Sequence, residues 1–61
     1  MVEYVYDKTG RKIDFDVACL WMDDDLRIDL FMQCMDFRDS QKIFDTYTEM
    51  HKEKFGVEFV V

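Results

Sequence analysis

The rhythm of apolar and polar residues changes along the chain, and each change marks an element. Val2, Tyr4 and Tyr6 alternate with Glu3 and Val5, the period of a half-buried strand. Asp7-Lys8-Thr9-Gly10 follows, with Asp at the first turn position and Gly at the fourth, which suits a type I turn closed by a left-handed glycine. The chain returns through Lys12, Ile13, Asp14 and Phe15, again alternating, so residues 2–15 predict a hairpin. Asp16 then offers an N-cap to Val17-Ala18-Cys19-Leu20-Trp21-Met22. That run is apolar all round, the mark of a short helical segment lodged in the core. Asp23-Asp24-Asp25 opens a second helix, reaching to about Asp36, because acids in a first turn complement the positive end of the helix dipole. One continuous helix from Asp16 to Asp36 is the alternative.

The third helix starts at Asp39-Ser40 and carries Ile43, Phe44, Tyr47, Met50 and Phe55 mostly on one face. His51, Lys52 and Lys54 fall in its last turns and Gly56 stands where a C-terminal stop belongs. Val57-Glu58-Phe59-Val60-Val61 reads as a final strand that must pair with the hairpin to be stable. The expected fold is a single α+β domain over residues 1–61. Its order is β-β-α-α-α-β, with a three-stranded antiparallel sheet and two to three helices packed on one face.

The middle helix holds more apolar residues than one core can use. At about 100° per residue, Leu26, Leu30, Cys34 and Phe37 form one stripe and Ile28, Phe31, Met32 and Met35 a second on the opposite side. Asp25, Asp29, Gln33 and Asp36 lie between them. The first stripe is assigned to the core. The second is a candidate partner-binding face, and methionine suits irregular surfaces; the alternative is a helix sandwiched between the sheet and its neighbour.

Charge sharpens this picture. The formal net charge is −6, and residues 13–37 hold seven aspartates against Arg27 alone. Direct binding to nucleic acid is disfavoured, because phosphates would be repelled. A protein partner with a basic surface is favoured, through Asp23, Asp24, Asp25, Asp29 and Asp36. Asp25 and Asp29 stand about 6 Å apart along the helix axis, close to the phosphate spacing of a nucleic-acid strand. Acidic charge that merely keeps a small protein soluble is the competing explanation.

The remaining chemistry excludes more than it suggests. A chain of 61 residues supports one small core, and 49% hydrophobic and 16% aromatic content with no proline argues against disorder. Cys19 and Cys34 show neither metal-ligand spacing nor a disulfide framework, and both lie in apolar runs where thiols are inert. Three consecutive aspartates on a helix diverge by about 100° each and cannot chelate one ion, and no EF-hand spacing is present. His51, the single histidine, has Tyr47 and Phe55 as its helical neighbours, neither of them a general base. No cofactor, metal or catalytic residue is therefore expected, and the chain is read as a non-enzyme. Met1-Val2-Glu3-Tyr4 lacks the basic start and apolar run of a secretory signal, and no stretch approaches the ~20 apolar residues of a membrane span, so a cytoplasmic location is expected.

Tyr6 to Phe15, Met22 to Arg27 and His51 to Phe59, taken together, resemble small acidic proteins carried by phages and conjugative elements of bacteria. Such proteins include inhibitors of host defence, anti-CRISPR proteins among them. The resemblance implies an inhibitor that blocks a basic surface of a larger host protein. The alternative from the residues is a homodimeric regulatory or antitoxin-type module that binds through the Ile28, Phe31, Met32 and Met35 face.

Overall fold

The computed structural model describes residues 3–33 and 38–61. Strand β1 (Tyr4–Tyr6) pairs antiparallel with β2 (Lys12–Asp14), with Val5 opposite Ile13. The turn forms as its residues dictate. Asp7 Oδ1 accepts hydrogen bonds from the backbone N–H groups of Thr9 and Arg11, both at 2.9 Å, and Gly10 takes φ 84°. The pleat turns Val5 and Ile13 into the core and leaves Tyr4 and Tyr6 on the outer face. There the Lys12 ammonium stands 4.0 Å from the Tyr4 ring centroid.

Three helices follow: α1 (Phe15–Leu20), α2 (Asp24–Gln33) and α3 (Ser40–Phe55). The chain breaks between α1 and α2, so the single continuous helix does not form. The expected start of α1 is corrected by two residues. Asp14, not Asp16, is the N-cap, since its carboxylate accepts from the Asp16 and Val17 amides and Phe15 enters the helix rather than the strand. Helix α3 begins and ends at the expected residues. Asp39 accepts from Lys42 N–H at 3.1 Å, and Gly56 closes the helix at φ 75° with its own N–H donated to Lys52 O.

The core has two adjoining parts. Met22, Leu26, Leu30, Ile43 and Tyr47 join α2 to α3, while Val5, Ile13, Ala18 and Phe44 join the hairpin to α1 and α3. Phe15 and Phe59 pack against both. Leu26 and Leu30 are buried as the first stripe requires; Cys34 and Phe37, the rest of that stripe, lie outside the described residues.

The third strand is not formed: among the described residues the sheet has two strands. Two features take its place. At β1, the Gln41 carboxamide of α3 accepts from Tyr6 N–H and donates to Tyr6 O, both at 2.8 Å, so a helix side chain occupies the edge a strand would need. Beyond Gly56 the chain is held by side chains instead of a ladder. Phe59 meets Tyr47 edge-on at 4.7 Å between centroids, the Val57 carbonyl lies 3.0 Å from His51 Nδ1, and Arg11 donates to Val61 O.

The expectation that residues 17–22 sit wholly in the core is also corrected. Ala18 and Met22 are buried, but Val17, Leu20 and Trp21 are exposed. Helix α1 is too short and too near the edge of the two-helix core to be covered on both sides.

Candidate interaction surface

The break between α1 and α2 sets the geometry of the acidic segment. Asp23 sits at the junction and is committed structurally. Its carboxylate accepts from Leu26 N–H at 3.2 Å, its carbonyl accepts from Arg27 N–H, and its own N–H donates to the hydroxyl of buried Tyr47 at 2.8 Å. The Leu26 amide, helped by the Lys54 ammonium, holds this carboxyl below its ordinary value of 3.8. Lys54 Nζ lies 3.5 Å from Asp23 and 4.0 Å from Asp25, tying α3 to the start of α2.

Asp24, Asp25 and Asp29 project from α2 into solvent, with the Asp25 side chain 83% exposed. Among the described residues no ion pair reaches Asp24 or Asp29. The other ion pairs among the described residues, Lys8 and Lys52 with Glu58, lie at the hairpin turn and the end of α3, so only Lys54 offsets the acidic start of α2 through an ion pair. Asp36 and Met35 lie outside the described residues.

The second apolar stripe faces outward. Ile28 and Met32 are exposed, Met32 by 78%, and Phe31 is exposed by about half at the rim of a cleft of ≈ 350 Å³ between α1, α2 and α3. Phe15, Cys19, Met22, Leu30 and Ile43 line that cleft, and the Arg27 guanidinium closes one side within 3.5 Å of the Cys19 carbonyl. Burial, followed by the nearby Asp16 carboxylate, pushes the Cys19 thiol above its ordinary 9.0, so it stays protonated at neutral pH and lacks the thiolate that a nucleophile requires. No group of three or more His, Cys, Asp or Glu is arranged to hold a metal ion among the described residues, and none of their helices is long and apolar enough to cross a membrane.

The structure therefore brings Asp24, Asp25, Asp29, Ile28 and Met32 onto one exposed helix and sets Asp23 apart as its cap. Sequence reasoning missed Leu20 and Trp21, which are 81% and 69% exposed beside the same acidic start. The only signal was that their run is apolar on every side, more than a six-residue helix can bury.

The sequence model of the family described as anti-CRISPR protein AcrIC5 matches residues 6–59, nearly the whole chain. No curated protein matches it.

Proposed function

Because the chain belongs to the AcrIC5 family of anti-CRISPR proteins, we propose that it inhibits by seating its acidic α2 face on a basic surface of a protein component of the CRISPR system. The family accounts for inhibition through protein partners. The observation that supports the acidic mechanism is the exposure of Asp24, Asp25 and Asp29 on one helix, where among the described residues Asp24 and Asp29 have no ion pair and Asp25 has only Lys54 at 4.0 Å, and the positive end of the helix is already satisfied by the Asp23 cap. A basic groove on a CRISPR protein exists to hold nucleic acid, and carboxylates spaced about 6 Å apart along a helix present charge at an interval close to that of phosphates. Paired charges would fix the register of the complex, and the long-range field would speed its formation.

The test is affinity capture with the tagged chain from cells whose CRISPR immunity it suppresses, followed by titration of the captured component at low and high salt. Replacing Asp24, Asp25 and Asp29 together with Asn leaves the core and the Asp23 cap untouched. It should weaken binding at least about tenfold, ~1.4 kcal/mol, and flatten the salt dependence. Equal affinity for parent and triple variant would remove the acidic mechanism.

The exposure of Ile28 and Met32 favours a second reading, in which the apolar stripe of α2 carries the contact. Binding would then be nearly insensitive to salt, and Met32→Asp, rather than the aspartate changes, would abolish it.

A further inference from the structure

Helix α1 is divided lengthwise. Phe15, Ala18 and Cys19 face the core, while Asp16, Val17, Leu20 and Trp21 occupy the opposite arc of about 140° at helical spacing. An arc of that kind is normally polar. Here Val17 is 40% exposed, Leu20 81% and Trp21 69%, and Trp21 is the single tryptophan of the chain. Asp16 stands one turn before Leu20, and Asp24 and Asp25 follow Trp21 within four residues, all exposed.

We propose that Leu20 and Trp21 are an apolar anchor that enters a hydrophobic pocket ringed by Lys or Arg on the inhibited CRISPR protein, with Asp16, Asp24 and Asp25 meeting that basic rim. This inference rests on the acidic-surface reading and adds to it a centre that charge alone lacks. Protein interfaces concentrate their affinity in a few desolvated residues, with tryptophan prominent among them, surrounded by a polar rim. An exposed Trp–Leu pair flanked in sequence by exposed aspartates fits that layout. Charge also selects the occupant. A second copy would bring the same acidic rim against itself in a chain already at −6, whereas a basic rim is complementary.

The single tryptophan supplies its own probe. The chain is labelled with 5-fluorotryptophan and titrated with the purified CRISPR interference complex of a strain in which it restores phage plaquing. In parallel, Trp21→Ala, Trp21→Phe and the Asp24/Asp25/Asp29→Asn variant are titrated at two salt concentrations, with circular dichroism confirming that each is folded. The proposal expects the fluorine resonance to move on binding and Trp21→Ala to lose about thirtyfold or more in affinity with its salt dependence unchanged. Trp21→Phe should retain part of that affinity. If Trp21→Ala binds like the parent and the resonance stays in place while the aspartate variant fails, the anchor is wrong and the acidic reading stands. If both variants bind like the parent, both are wrong. A parent that sediments as a dimer and a Trp21→Ala variant that sediments as a monomer would show a second copy on this face and would also overturn the proposal.

Discussion

Helices α2 and α3 each carry five large apolar residues, yet they dispose of them in opposite ways. In α3, Ile43, Phe44 and Tyr47 are buried and Met50 is half-buried; only Phe55, in the last turn, is about half exposed. In α2, Leu26 and Leu30 are buried, and Ile28, Phe31 and Met32 are not. The difference lies in spacing. The α3 residues recur at intervals of one, three and three and stay on one side, whereas those of α2 recur every one or two positions and spread around the axis. A core this small can accept one side of a helix. The buried apolar residues of α3 therefore hold the fold together, and much of the apolar surface of α2, with that of α1, stays turned toward solvent.

The sharpest way to break this comparison is to truncate the two kinds of apolar residue. Tyr47→Ala should cost about 3–5 kcal/mol and Leu30→Ala about 2–5 kcal/mol, enough to unfold a chain of this size, because each leaves a cavity among fully buried neighbours. Ile28→Ala and Met32→Ala should each stay within about 0.5 kcal/mol of the parent. Urea titrations followed by circular dichroism measure all four. A loss of several kcal/mol at Ile28 would mean that α2 has no surplus face.

A smaller effect tests what ends α3. Gly56→Ala meets no atom within 4 Å, so any loss is conformational and not steric. Holding alanine at φ 75° should cost about 1–2 kcal/mol. If thermal unfolding shows no change, the chain reaches Phe59 by another path.

The smallest effect is on acidification and concerns the joint between the two helices. The Asp23 carboxyl lies below its ordinary 3.8 because the folded chain hydrogen-bonds its charged form. A depressed folded value means that its contribution is complete above 3.8 and is lost as pH falls through the lower folded value. Asp7, lowered chiefly by the Thr9 hydroxyl, and Glu58, lowered chiefly by Lys52, act with the same sign. The melting temperature should therefore fall below about pH 4, and Asp23→Asn, which keeps a capping oxygen without the charge, should make that fall shallower. An identical acid profile in the variant would remove Asp23 from the linkage.

Local rules made much of this structure legible. The Asp7–Gly10 turn, the Asp39 cap, the Gly56 stop and the burial of Leu26 and Leu30 each follow from residues adjacent in sequence or one turn apart. What the sequence did not yield depends on partners far along the chain. Val57–Val61 has the composition of a strand, but Gln41 holds the edge of β1 at Tyr6 and Phe59 packs against Tyr47 and Phe44 instead of entering a ladder. The outward arc of α1 was hidden for a related reason: an apolar run states that it avoids water, not whether this core has room for it. Within the candidate surface, Asp24, Asp25 and Asp29 were readable as exposed acids. The commitment of Asp23 to its cap was half readable, since its hydrogen bond to Tyr47 spans 24 positions.

The Gln41 carboxamide has a consequence for life at high concentration. A bare strand edge is a template on which another chain can add, and small sheet proteins must blunt it to stay dispersed. By satisfying both backbone groups of Tyr6 from a helix, Gln41 blunts the β1 edge at that residue with one side chain and no added strand. At that point on β1 a second hairpin finds no free N–H or C=O to pair with, so edge-to-edge addition there would first have to displace Gln41.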